Sequence, residues 1–241
     1  MRIAVISDIH GNLEALRAVL SDMEDSHVDE VFCLGDSVGY GADPEAVVTE
    51  IRARAIPSIL GNHELGLLDP SMLDWFNPPT QRSLLITREL ISRETFEYMS
   101  SLRPYITVRG ALLVHGAPPD SVTTYLFELS DDQLGSILRS LGHEICFVGH
   151  THQLELIGWD GSRLVRSPLR EGRHPLSRGW RYIVNTGSVG QPRDGDNRAK
   201  YVIWNPQEGY LEARYVPYDI ATAASKILDR GFPSFNATRL W

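Results

Sequence analysis

The sequence predicts an α/β fold of two stacked mixed β-sheets flanked by helices, a four-layer α/β/β/α sandwich formed by residues 1–241 as one domain. Short β-branched runs alternate with amphipathic stretches through the first half, the pattern of parallel strands joined by helices. Nearer the end, strand-like runs follow one another with only turns between them, which predicts a second, more antiparallel sheet. A chain of 241 residues that is 42% hydrophobic and 22% charged has enough apolar material for one large core.

Taken in order, residues 2–7 read as a buried strand. Asn12 to Met23 read as a helix, because Leu13, Leu16, Val19 and Leu20 fall on one face. Residues 30–34 and 56–60 read as the next strands, with a helix between them that begins near Pro44, a residue suited to a first helical turn. From about 64 to 103 the pattern is helical but interrupted by Pro70, Pro78 and Pro79, which predicts a cap-like insertion. Strands are expected at 104–108, 111–114, 144–148 and 153–158, with a helix at 131–140. Further strands are expected near 181–185, 201–204 and 210–216, the group assigned to the second sheet. Ile220 to Arg230 reads as a last helix followed by a polar tail.

Twenty-three basic against 31 acidic side chains leave a net charge of −8, which disfavours bulk nucleic-acid binding but leaves room for a small phosphorylated ligand held locally. No apolar run is long enough for a signal peptide or membrane span, so a cytoplasmic protein without membrane partners is expected. The sequence carries no signal of oligomeric state. Cys33 and Cys146 lie in apolar runs and read as small buried hydrophobes.

Five polar clusters fall just beyond expected strands: Asp8-Ile9-His10, Gly35-Asp36, Gly61-Asn62-His63-Glu64, His115-Gly116 and Gly149-His150-Thr151-His152. Carboxyl ends of strands in an open α/β sheet line one crevice, so these groups can converge although they are far apart in sequence. Within Asp8-x-His10 and His150-x-His152, alternate residues of an extended chain project the same way. Five of the eight histidines sit in these clusters, whereas His27, His143 and His174 read as surface positions. Singly, each cluster could be an ordinary turn. Together, Asp8, His10, Asp36, Asn62, His115, His150 and His152 offer carboxylate, amide and imidazole donors in excess of what one tetrahedral zinc needs. The set suits two divalent transition-metal ions about 3.5–4 Å apart, Mn²⁺ foremost, with Fe, Ni²⁺, Co²⁺ or Zn²⁺ as alternatives.

In these motifs the chain resembles the calcineurin-like metallophosphoesterases, from Asp8-Ile9-His10-Gly11-Asn12 through Gly149-His150-Thr151-His152. The stretch Asn185 to Asp194 resembles the small bacterial and archaeal phosphodiesterase branch. The resemblance implies one metal on Asp8, His10, Asp36 and His152, and another on Asp36, Asn62, His115 and His150, with Asp36 as the bridge. It implies hydrolysis of a phosphoester by a metal-bridging hydroxide, with catalytic His63 donating to the leaving oxygen or to the developing phosphoryl charge. Small phosphodiesters or nucleotide-like compounds are the favoured substrates, and a phosphomonoesterase is the alternative. A non-catalytic scaffold of the same fold would be marked by lost ligands or a lost histidine, which this chain retains.

Two positions depart from better-known branches. Where those carry an Asp that orients the catalytic histidine and an Arg that holds phosphate, this chain has Gly39 and Tyr40. Asn62, His63, Tyr40 and Arg193 are the candidate substrate contacts. Arg163, Arg166, Arg170, Arg173, Arg178 and Arg181 crowd a stretch with one acid, Glu171, which reads either as a loop over the crevice or as a solvated hairpin.

Overall fold

Strand β1 (Ile3–Ile6) alternates between two apolar environments, and that alternation locates the layers. In the computed structural model, which describes residues 1–241, Ile3 and Val5 face the second sheet while Ala4 and Ile6 face helices. Parallel to β1 runs β2 (Glu30–Cys33); between them α1 (Leu13–Asp25) crosses over, starting where the Asn12 side chain accepts from the Ala15 amide at 3.1 Å. Helix α2 (Pro44–Ala53) follows, with Pro44 opening its first turn.

The region 62–100 is helical: α3 (Asn62–Leu68), a 3₁₀ turn, α4 (Pro78–Leu90) and α5 (Arg93–Ser100). The next strands are β3 (Tyr105–Val108) and β4 (Ala111–Val114), then α6 (Asp131–Ser140) capped by Ser130 and β5 (Ile145–Val148). After β6 (Leu154–Trp159) come β7 (Leu164–Pro168), β8 (Gly172–Pro175), β9 (Arg181–Thr186), β10 (Ala199–Asn205) and β11 (Tyr210–Val216). Helices α7 (Ile220–Asp229) and α8 (Ser234–Thr238) complete the order.

Two mixed sheets result, ordered β2-β1-β10-β11-β8 and β3-β4-β5-β9-β6-β7. One apolar cluster lies between them, with Val5, Leu34, Val202 and Leu211 from one sheet against Leu113, Phe147 and Val184 from the other. A second joins α1 and α2 to the outer face of the first sheet through Leu16, Val19, Val47 and Ile51. A third seats Leu134 and Leu138 of α6 on Val114, Cys146 and Ile183. Three apolar interfaces between four layers are the expected α/β/β/α sandwich. No helix is long and apolar enough to cross a membrane.

Four expectations need correction. Residues 56–60 form only a single bridge, Cys33 to Ser58, because Pro57 has no amide with which to extend a ladder. The late strands do not make one sheet: β9 joins the second sheet parallel to β5, while β10 and β11 join the first, β10 running antiparallel to β1. Residues 163–181 are not a long loop but contain β7 and β8, edge strands of different sheets. There Arg166 pairs with Glu155 at 2.8 Å, Arg173 packs over Tyr210 at 4.6 Å, and Arg181 donates to the Leu138 carbonyl at 2.7 Å. The polar tail is the helix α8, in which Asn236 is buried.

Candidate metal centre

Asp8 and His10 follow β1, Asp36 follows β2, His115 follows β4, and His150 and His152 follow β5, so each leaves the carboxyl end of its strand into one crevice. Asn62 and His63 enter from the first turn of α3. The backbone bends sharply there: Asp8, His10, Asp36, His150 and His152 all have φ between 51° and 68°, the left-handed region in which non-glycine residues are uncommon. Every one of these side chains is buried.

The donors fall into overlapping groups, Asp8 with His10 and His152, His10 with Asp36 and His63, and Asp36 with His115 and His150, whose ligand atoms lie within 4.8 Å of one another. Asp36 Oδ2 is common ground, 3.8 Å from His10 Nε2 and 3.3 Å from His115 Nε2. On one side, Asp8 Oδ1 is 3.2 Å from His152 Nε2, and His10 and His152 bring their Nε2 atoms to 3.0 Å. On the other, Asn62 Oδ1 lies 3.0 Å from His115 Nε2.

Backbone groups decide which atoms face inward. Carbonyls can only accept, so Val38 at 3.1 Å, Leu34 at 2.8 Å and Gln191 at 2.6 Å place a proton on Nδ1 of His10, His115 and His152 and turn each Nε2 toward the centre. His150 is reversed, donating from Nε2 to the Thr123 carbonyl at 3.0 Å and presenting Nδ1. Each carboxylate likewise keeps one oxygen occupied and offers the other. Asp8 Oδ2 accepts from the His150 amide at 3.0 Å, and Asp36 Oδ1 from the His63 amide at 2.8 Å. Asp8 Oδ1 is buried without a hydrogen-bond partner. Converging lone pairs and an unpartnered buried carboxylate oxygen are what a divalent cation would satisfy, so the residues fit a metal site.

The electrostatics agree. Burial opposes ionisation of Asp8 and Asp36, yet the surrounding imidazoles, His152 first for Asp8 and His115 first for Asp36, hold both carboxyls well below the usual range. Burial opposes charge on His115 too, but Asp36 and then Asp8 push its ring up to about 9. Burial, then the His115 charge, pulls His150 down to about 3; burial, then Arg193, pulls His152 down to about 4.

His63 Nε2 lies 4.0 Å from Asp36 Oδ2, and its ring packs against those of His10 and Tyr40, each centred 4.6 Å away, and against Phe76 at 5.4 Å. Its Nδ1 is buried and unpartnered, and Gly39 presses against that atom: a Cβ there would overlap it. Tyr40 is half-buried beside His10, and the Arg193 guanidinium lies 5.7 Å from the Tyr40 ring. All eight proposed centre residues, with Tyr40 and Arg193, therefore share one crevice, whereas His27, His143 and His174 lie elsewhere on the surface.

Several contributors had no role assigned from the sequence. Glu64, buried, accepts from the amides of Asp36 at 2.8 Å, Ser37 at 2.7 Å and Gly61 at 3.1 Å, which locks the loops bearing Asp36 and Asn62 together. Desolvation and then the Asp36 charge raise its carboxyl to about 7. Ser188 Oγ and the Gly190 amide donate to the Asp8 carbonyl at 2.8 and 3.0 Å, which gives the 185–194 stretch a structural role. Tyr125 stacks on His150 at 3.7 Å.

Comparison with known proteins places this geometry. Residues 1–209 match the calcineurin-like phosphoesterase superfamily domain. An uncharacterized protein of Methanocaldococcus jannaschii is 38% identical over 244 residues, covering 99% of this chain and 97% of its own length. A metallophosphoesterase from Sphaerobacter thermophilus superposes with a TM-score of 0.86 at 33% identity, covering 100% of this chain and 98% of that one. A hypothetical protein from Pyrococcus horikoshii OT3 shares the fold, with a TM-score of 0.81 at 20% identity and coverage of 100% and 97%. With a domain match over most of its length and a relative this similar from end to end, the chain belongs to the calcineurin-like phosphoesterase superfamily.

Proposed function

We propose that the chain is a dinuclear metal-dependent phosphoesterase that hydrolyses small phosphodiesters or nucleotide-like compounds. The family is metal-dependent, and the observation that carries the dinuclear reading is the arrangement of two half-sites around Asp36 Oδ2. Asp8, His10 and His152 would hold one ion, Asn62, His115 and His150 the other, and Asp36 both. When bound, two such ions supply a nucleophile from water near neutral pH and neutralise phosphoryl oxygens. No protein nucleophile is needed.

The chain's own residues supply orientation and a proton donor. His63 donates from its ring to the leaving oxygen or to the phosphoryl charge as it develops, held upright by Tyr40 and Phe76. Residues 64–103 act as a cap wall, since they bring Phe76 to His63 and Trp75 to within 6.4 Å of the His150 ring. Tyr40, with the Arg193 guanidinium over its ring, packs against His63 as Phe76 does.

The test strips the protein of metal, restores Mn²⁺, Ni²⁺, Co²⁺ or Zn²⁺, and assays a panel of phosphomonoesters and phosphodiesters alongside elemental analysis. About two ions per chain and turnover of diesters are expected. A single ion per chain, or no turnover with any of the four metals, would overturn the reading.

A further inference from the structure

Two guanidiniums near the crevice, Arg193 and Arg239, have no carboxylate partner. Arg193 Nη2 donates to Gln191 Oε1 at 3.0 Å, its Nε is buried and unpartnered, and no carboxylate reaches it. On the same loop, Arg198 pairs with Asp196 at 2.7 Å, and Lys200 with Asp194 at 2.8 Å, so acids are present but not directed at Arg193. Arg239 follows α8, is exposed, and packs over Phe235 at 4.5 Å with no carboxylate partner.

The segments that carry them are joined by contacts that cross the whole sequence. Asn236, 2% exposed, donates to the Tyr40 carbonyl at 3.1 Å and to Ser83 Oγ at 3.0 Å, which seats α8 against the Tyr40 loop. Asn197 donates to the Trp241 carbonyl at 3.4 Å, joining the end of the chain to the Arg193 loop. Partial desolvation, and then the Arg193 charge, hold Arg239 below the usual guanidinium range. In a chain of net charge −8, two guanidiniums without carboxylate partners, carried on segments tied to the Tyr40 loop and the Arg193 loop, are suited to an anion.

We propose that Arg193 and Arg239 together bind a second phosphate group of the substrate, outside the half-sites that receive the phosphate to be cleaved. The inference rests on the phosphoesterase reading above. Position argues for a second group rather than the scissile one. Arg193 lies over Tyr40, and Tyr40 in turn borders His10 and His63, so the guanidinium stands one aromatic ring back from the imidazoles. Within the 163–181 stretch, Arg166, Arg173 and Arg181 are already engaged by Glu155, Glu212 and backbone carbonyls.

Calorimetric titration of the Mn²⁺-loaded protein with short α,ω-alkanediol bisphosphates of increasing length, against the matching alkyl monophosphate, tests the seat without requiring turnover. One bisphosphate should bind at least about tenfold tighter than the monophosphate, the advantage expected of one added charge-assisted pair. Arg239→Gln and Arg193→Gln should each erase most of that ratio, and Arg239→Lys, which keeps the charge while losing the packing on Phe235, should retain part of it. Equal binding of bisphosphates and monophosphate by the unmodified protein would overturn the proposal, as would a ratio untouched by both Gln variants. If no ester is hydrolysed with any metal, the phosphoesterase reading fails separately, and the binding ratio still decides the seat.

Discussion

Replacing Gly39 by Ala probes His63 without touching it. Gly39 has φ of 134°, and a Cβ there would overlap His63 Nδ1 and come within 3.0 Å of His10 Nδ1. Neither side can yield cheaply. The Gly39 carbonyl accepts from Thr87 Oγ1 at 3.1 Å, and His63, 2% exposed, is wedged between Tyr40 and Phe76. The backbone term alone should cost about 1–3 kcal/mol, and each kcal/mol lowers Tm by about 2–4 °C in a chain of this size. The chemical term should be larger, because a displaced His63 forfeits its contribution, about 10²–10⁴ in kcat. The assay is a double-mutant cycle of Gly39→Ala, His63→Ala and the pair, with kcat and metal content measured for each on a diester substrate. If the methyl acts by moving His63, its effect on kcat nearly disappears in the His63→Ala background. Losses that multiply, or a Gly39→Ala protein with full kcat, would refute the reasoning. A fall in metal content would show that the methyl acts through His10 instead.

Asp36→Asn should lower metal content by both ions and Asp8→Asn chiefly by one, so full occupancy in both variants, read by elemental analysis, would remove Asp36 from its bridging role. Lys200, whose side chain is fully buried, pairs with Asp194 at 2.8 Å; Lys200→Met strands that carboxylate and should cost about 3 kcal/mol in urea unfolding, with an unchanged midpoint as the contrary result. Burial alone would raise the Asp22 carboxyl, but donation from Arg214 at 2.6 Å and Tyr201 at 2.7 Å outweighs it and holds the group below its usual 3.8. A depressed carboxyl contributes stability that is present above 3.8 and lost as pH falls through the folded-state value, so Asp22→Asn should cost about 1 kcal/mol at neutral pH. That gap should close in acid; a gap independent of pH would assign the loss to packing.

What was legible in the sequence follows from the range of the interactions involved. Local signals served well: Asn12 and Pro44 mark helix starts through capping and first-turn chemistry that act within a few residues. The strand-end clusters were legible because ligand-type side chains are rare in such positions and the α/β architecture makes them converge. Sheet membership was not, since the pairing of Val5 with Val202 has no local imprint, and a strand paired on either edge reads the same in periodicity. Nor was Asn236 recognisable as a buried clamp, because a polar residue near the end of a chain reads as solvated tail unless Tyr40 and Ser83 are known to wait for it. Tyr40 and Arg193 were candidates from a motif and its gap, while Arg239 had nothing but its charge. Pro57 was visible all along, and its missing amide should have argued against a strand at 56–60.

The antiparallel pairing of β1 with β10 sets an order of events during synthesis. Asp8 and His10 are made early, but the groups that hold their loop, Ser188 and Gly190 on the Asp8 carbonyl, are made about 180 residues later, just ahead of β10. A nascent chain at the ribosome can form β1, α1 and β2 and expose Asp8, His10 and Asp36 while their left-handed backbone turns still lack that support. The N-terminal donors would therefore be fixed in place only once β10 has paired with β1 and the second sheet has brought His115, His150 and His152 to the same crevice.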